Sequence, residues 1–385
     1  MRIFYASGKR PNGALADSQV WRENLYLSLV DLGHDVVEFE HDLEPLLAAA
    51  DFTVPANAAF VAEHRPAAEA ALLAQISTTH AERPVDLFFS YFYSSCAGAE
   101  TIREIRRMGI TTMNWYCNAS YQLHLVADIA PAYDYCLVPE KFRLDDYRAL
   151  GANPVYCQEA ANPNVYHPYD VPRQFEVTFV GARYAERPLY LRRLIDAGID
   201  THAWGPGWQD EAGFKLADSA GGYARALLRL PAWKRTAKRA YKATLGRARY
   251  DLPVLMPRSV CEGPLSDEDM VKMYSRSAIS LGFSGVAGSL EDGRRITQIR
   301  LRDFEAPMSG AFYMVEYMDE LAEFFDIGRE VVCYEDLDDL VDKCRYYLVH
   351  EEERERIRLA GLRRALNDHT WQKRFHDVFE TIGMT

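Results

Sequence analysis

The chain contains no C-x-x-C pair. Its seven cysteines (Cys96, Cys117, Cys136, Cys157, Cys261, Cys333 and Cys344) are odd in number and scattered, with Cys117, Cys136 and Cys157 in short apolar runs. That distribution argues against a disulfide framework or a zinc site and for a reducing compartment. No apolar run is long enough to span a bilayer, and the N-terminus enters a strand pattern at once (Met1-Arg2-Ile3-Phe4-Tyr5) rather than a signal peptide. A cytoplasmic protein is therefore expected. Positive charge is also in short supply: the net charge of −12 argues against general nucleic-acid affinity, so any basic patch must be local. Neither a P-loop nor a G-x-G-x-x-G fingerprint is present, which removes the usual support for ATPase and NAD-dependent chemistry.

What is present is a soluble globular composition, with 48% hydrophobic and 26% charged residues over 385 positions, enough for two domains. Apolar runs at 2–7, 35–39, 85–91, 111–116, 133–138 and 154–157 alternate with helical periodicity at 17–32 and in the alanine-rich 58–81. This alternation predicts a parallel sheet covered on both faces. Pro163, Pro168 and Pro172 mark a linker, after which the pattern restarts with strands at 175–180, 200–204, 259–261, 278–283, 311–315 and 330–333. The expected fold class is α/β, with two Rossmann-like domains, 1–165 and 175–365, facing a central cleft. The final segment 366–385 carries one apolar stripe (Trp371, Phe375, Val378, Phe379, Ile382) expected to cross back onto the first domain.

One segment breaks the alternation. Within an insertion at 215–257, residues 219–250 carry nine Lys or Arg and no Asp or Glu, interleaved with Leu227, Leu228, Leu230 and Trp233. Two readings fit: an amphipathic helix on an anionic membrane surface or acidic acceptor, or a solvated surface helix. The first reading places the protein at the inner membrane face as a peripheral partner.

Ligands of doubly wound folds bind at the carboxyl ends of the strands, and the chemistry-bearing positions of the second half fall there. Gly181-Ala182-Arg183-Tyr184-Ala185-Glu186-Arg187 follows a strand; the glycine allows close approach and Arg183 and Arg187 suit phosphates. Trp204-Gly205 opens a turn after the next strand, Glu262-Gly263 offers backbone groups to a base edge, and Ser284-Gly285 follows the strand at 278–283. The stretch Gln298-Ile299-Arg300-Leu301-Arg302-Asp303-Phe304-Glu305 places two guanidiniums and a carboxylate at the mouth of a short helix, suited to a diphosphate and a sugar diol, or simply to a capped helix with solvated arginines. In the first half, Gly8, Lys9 and Asn12 lie in a loop after the first strand and Asn118 follows another, all expected to face the cleft. Asp17 and His124 are the candidate catalytic groups, against an N-cap for the former and a structural histidine for the latter. Asp336-Leu337-Asp338 spells D-x-D but begins a helix, which favours capping over metal binding.

Residues 177–187, 265–284 and 298–317, with the ending Asp368-His369-Thr370-Trp371-Gln372-Lys373-Arg374-Phe375, resemble the spore-maturation (CgeB-like) type of glycosyltransferase with a group-1-like C-terminal domain. The resemblance covers most of 160–385. It implies the GT-B architecture and metal-independent transfer from a nucleotide-diphosphate sugar, with no cofactor beyond that co-substrate. The nucleotide sugar would bind the domain at 175–365, and 1–165 would be the acceptor side, with Gly8, Lys9, Asn12 and Asn118 as acceptor contacts. The acceptor would be a glycan, a lipid-linked intermediate, a protein or a small molecule. By the same resemblance Glu305 holds the donor ribose, Arg183 and Arg187 the diphosphate, and Gly263 meets the base. Where such enzymes usually carry a second glutamate eight residues before the first, this chain has Thr297. The rival readings are an epimerase or hydrolase of nucleotide sugars on the same fold, and a non-catalytic surface-assembly or binding protein with a degenerate site.

Overall fold

The computed structural model describes residues 1–8, 19–209, 254, 256–289 (backbone alone at 287–289) and 295–384. Lys9, Asn12 and Asp17, and the basic segment 219–250, lie outside the described residues.

Two six-stranded parallel sheets organise the chain. The first comprises β1 (Arg2–Ala6), β2 (Asp35–Glu38), β3 (Leu87–Ser90), β4 (Thr111–Trp115), β5 (Tyr135–Val138) and β6 (Pro154–Tyr156), in the order β2-β1-β3-β4-β5-β6. The second comprises β7 (Phe175–Val180), β8 (Thr201–Trp204), β9 (Cys261–Glu262), β10 (Ser277–Gly282), β13 (Tyr313–Glu316) and β14 (Val332–Tyr334), in the order β14-β13-β10-β7-β8-β9. Between β10 and β13 a short antiparallel hairpin, β11 (Gly285–Ser289) and β12 (Arg295–Thr297), stands outside both sheets.

Both faces of the second sheet are buried, as parallel sheets require. Met314, Val332 and Tyr334 pack on one face beside Leu340 and Ile357, while their neighbours Tyr313, Val315 and Cys333 pack on the other beside Phe304 and Ala365. The period-two alternation of strand side chains thus feeds two cores from one run of apolar sequence.

The last helix crosses back to the first domain. Thr370 caps Trp371–Thr381 by accepting from the Lys373 amide at 3.2 Å, and Trp371, Phe375, Val378 and Phe379 complete the first domain's core. Trp371 meets Trp115 edge-on at 5.0 Å, and Phe375 meets Phe89 at 5.6 Å and 85°. The two segments that pass between the domains also touch each other: the Ala161 amide donates to the His369 carbonyl (3.1 Å) and the Trp371 amide to the Ala161 carbonyl (3.2 Å). Among the described residues no helix is long and apolar enough to cross a membrane.

Candidate active site

A cavity of about 370 Å³ opens where the carboxyl ends of the two sheets face each other. From the second domain it takes the residues just after β7 (Gly181, Ala182, Tyr184 and Arg187), those after β8 (Gly205, Pro206) and β9 (Pro264, Leu265), and Gln298, Arg300, Leu301, Arg302 and Glu305 around the start of the helix Arg302–Met308. The first domain adds Val20, Trp21, Cys117, Asn118 and Glu159.

Glycine is obligatory in the inner wall. Gly205 has φ +136, and a Cβ there would lie 2.5 Å from the Gly181 carbonyl oxygen. A Cβ on Gly181 would lie 2.9 Å from Arg302 Nη1. The two loops therefore pack at a distance that only bare backbone at Gly205 permits. The Trp208 indole donates to the Gly181 carbonyl at 2.6 Å and pins this arrangement. Two residues before Arg187, Ala185 adopts φ 52, a left-handed conformation rare outside glycine that turns the loop back toward the cavity.

Three guanidiniums converge on this space, each fixed by a different device. Arg187, 5% exposed, donates to the Ala182 carbonyl (2.9 Å) and the Tyr184 hydroxyl (2.7 Å) and stacks 3.8 Å over the Tyr184 ring. Arg300 is held by the carbonyls of Phe283 (3.2 Å) and Gly285 (2.8 Å). Arg302 reaches the Tyr274 hydroxyl at 3.2 Å and Glu305 Oε1 at 3.4 Å. Burial, then the neighbouring Arg300 and Arg302, push Arg187 down to about 9, against the opposing influence of Tyr184. No carboxylate pairs with Arg187 among the described residues. A buried cation without a counter-charge is costly, and an incoming anion would relieve that cost.

Glu305 sits beside this cluster at 3% exposure, with the Tyr274 hydroxyl donating to Oε1 at 2.8 Å. Burial raises its proton affinity, while Arg302 and Tyr274 counter the rise. Its neighbour Asp303 has a structural part: it accepts from the Tyr313 hydroxyl (2.7 Å) and the Arg300 amide (2.8 Å), with burial pushing it up to about 6.

Of the positions singled out in the sequence, Gly181, Arg187, Gly205, Arg300, Arg302, Glu305 and Asn118 line the cavity. Others do not. Arg183 turns away and donates to the Val254 carbonyl at 2.9 Å. Trp204 packs edge-on against Phe175 at 5.0 Å. Gly263 receives the Gly205 amide on its carbonyl, and Glu262 ends β9 beside it, so both brace the wall from behind. Ser284 donates to the Glu316 carbonyl, and Gly285 presents its carbonyl to Arg300. Gly8 accepts from the neighbouring Ser7 hydroxyl. His124 is exposed in the short 3-10 helix Leu123–Leu125 and does not line the cavity. Asp336 caps the helix Leu337–Val349, accepting from the amides of Asp338 and Asp339 at 2.9 Å each. Glu159, Asp267 and Trp21 were not singled out. Asp267, in the first turn of a helix capped by Ser266, accepts the Gln19 amide at 2.7 Å and so ties the two domains across the cavity mouth.

Comparison with known proteins decides the family. The sequence model of the glycosyl transferase-like family matches residues 183–380, a little over half of the chain and all of this second-domain wall from Tyr184 onward. The chain belongs to the glycosyl transferase-like family. Solved structures share the architecture of this family member over its whole length. The sucrose-phosphate synthase of Thermosynechococcus elongatus superposes with a TM-score of 0.57 at 12% identity, covering 100% of this chain and 99% of that one. Anabaena Alr3699/HepE in complex with UDP-glucose gives 0.56 at 11% identity and 100% of both chains. AviGT4, a glycosyltransferase of avilamycin A biosynthesis, gives 0.51 at 14% identity, covering 98% and 96%. At such identities the likeness establishes the GT-B fold. No curated protein matches the chain by sequence.

Proposed function

We propose that this glycosyltransferase moves a sugar from a nucleotide-diphosphate sugar to an acceptor hydroxyl. The carrying observation is the convergence of Arg187, Arg300 and Arg302 on one cavity beside Glu305. Negative charge develops on the diphosphate as the sugar departs. Three fixed guanidiniums stabilise it without reorganising, the role a metal ion plays in other sites. Glu305 accepts hydrogen bonds from the ribose diol. The apolar wall of Val180, Pro206, Pro264 and Leu265 takes the base. The acceptor enters from the first domain, where Trp21 and Asn118 line the opposite wall. The CgeB-like subfamily remains our reading of residues 177–187, 265–284 and 298–317.

The Anabaena protein on this fold was crystallised with UDP-glucose, with UDP, and with UDP and glucose. Uridine nucleotides are accordingly the first donors to try. In a thermal-shift panel of UDP-, GDP- and TDP-sugars, at least one nucleotide should raise the melting temperature at millimolar concentration. No stabilisation by any of them would sink the proposal. Donor breakdown without acceptor as fast as with it would point to the hydrolase or epimerase reading.

A further inference from the structure

One carboxyl group of the cavity has no part in donor binding as described above. Glu159 lies just beyond β6, in the segment that carries the chain out of the first domain. It is 4% exposed and lines the cavity from the side opposite the second-domain arginines. Its main chain is fixed, because the Glu159 amide donates to Gln158 Oε1 at 2.9 Å and the Gln158 side chain is in turn anchored to the Pro139 carbonyl at 3.2 Å. Among the described residues nothing hydrogen-bonds its carboxyl oxygens. The other two carboxylates of the cavity are engaged: Glu305 with Tyr274 and Arg302, Asp267 with the Gln19 amide. The charged and titratable groups that face Glu159 are Glu140, Arg300, Asp303, Glu305 and the Cys117 thiol. Burial, reinforced by Glu140, holds its proton affinity well above the ordinary carboxylate range, with Arg300 opposing. A carboxyl group buried with no local partner is expensive unless a ligand supplies one.

We infer that Glu159 is the catalytic base of the transfer, accepting the proton of the acceptor hydroxyl; this rests on the donor reading above. The acceptor oxygen bonds to the anomeric carbon as the bond from that carbon to the diphosphate oxygen breaks. The electron pair leaves with the diphosphate, among Arg187, Arg300 and Arg302, and the hydroxyl proton passes to the Glu159 carboxylate. Water takes that proton when the product departs. A base of raised proton affinity is the more effective near neutral pH, since general-base efficiency peaks when the base's pKa lies close to the operating pH. The group enters from the first domain, so domain approach brings base and donor together.

The test uses the full chain with UDP-glucose and water as acceptor, at enzyme in excess, following UDP release across pH. Glu159→Gln keeps the shape of the side chain but cannot take a proton. It should bind UDP like the wild type while UDP release falls about 10²- to 10⁴-fold, the usual contribution of a general base. The wild-type rate should rise with pH through the titration of Glu159 and level off, and that rising limb should be absent from the variant. Glu159→Asp should restore part of the rate and the limb. The assignment is overturned if Glu159→Gln releases UDP at the wild-type rate, both at background included, or if it keeps the rising limb. Wild-type protein that binds no uridine nucleotide would instead sink the donor reading, and this assignment with it.

Discussion

Arg187 offers a direct way to separate what the cavity needs for folding from what it needs for binding. Its guanidinium is buried, faces two other arginines, and has no carboxylate partner among the described residues. Breaking a paired buried charge usually costs about 3–5 kcal/mol, whereas replacing an ionic group by an apolar one of similar volume is often neutral or stabilising. Arg187→Met is such a replacement, with its thioether left among the rings of Tyr184, Phe179 and Phe283 that now surround the guanidinium at 3.8, 5.1 and 5.8 Å. The change strands the Ala182 carbonyl and the Tyr184 hydroxyl, at about 1–3 kcal/mol. It also removes the cost of burying a cation beside two others, which is of similar size. The free protein should therefore unfold in urea within about 1 kcal/mol of wild type, by that balance. Binding should respond differently. A charge-assisted hydrogen bond contributes about 1.5–3 kcal/mol, and about 1.4 kcal/mol is a factor of ten in affinity. Calorimetric titration should then show UDP weakened about 10- to 100-fold with uridine affinity unchanged. Unaltered UDP affinity, equal weakening of UDP and uridine, or a stability loss above about 3 kcal/mol would each refute the reasoning.

Two further outcomes concern the frame around the site. Phe375→Ala removes a fully buried ring between Phe89 and Trp371, so urea unfolding should show a loss of about 3–5 kcal/mol; a loss under about 1 kcal/mol would mean that the helix does not dock on the first domain as described. Glu140, at 3% exposure, accepts the Ser120 amide at 3.1 Å, and burial pushes it up from 4.5 to about 7. Its folded-state proton affinity exceeds the unfolded one, so the stability it contributes is complete below pH 4.5 and lost as pH rises through about 7. The melting temperature should fall over that window, and Glu140→Gln should flatten the fall; an unchanged slope in the variant would exclude Glu140 as the source.

The alternation of apolar runs and helical periodicity carried the two parallel sheets, because buried parallel strands must be apolar on both faces and so announce themselves. The stretch around Arg300, Arg302 and Glu305 was legible for a related reason: charged residues at the start of a helix that follows one strand and precedes the next lie at the sheet's carboxyl edge, where ligands bind. The sequence did not reveal the hairpin β11–β12, whose first strand, Gly-Val-Ala-Gly-Ser, has neither alternation nor bulk. Nor could it separate Arg183 from Arg187. Arg183 lies in the loop after β7 and donates to the Val254 carbonyl outside the cavity, whereas Arg187 opens the helix Arg187–Asp196 and lines it, and four residues of sequence separation carry no sign of that difference. Glu159 stayed hidden because it lies in an aperiodic connector, where burial depends on how two domains meet and leaves no local pattern. His124 failed for the converse reason. A histidine after a strand end resembles a cleft residue until a further turn carries it to the surface.

The docking of Trp371–Thr381 on the first domain also sets an order of events during synthesis. The strands that build the first sheet leave the ribosome early, yet the core between them lacks Trp371, Phe375, Val378 and Phe379 until nearly the whole second domain has been translated. For that interval the faces of Trp115 and Phe89 have no cover of their own. The first half must wait for the last helix before its core is complete, and in that interval its uncovered apolar faces are open to misassembly.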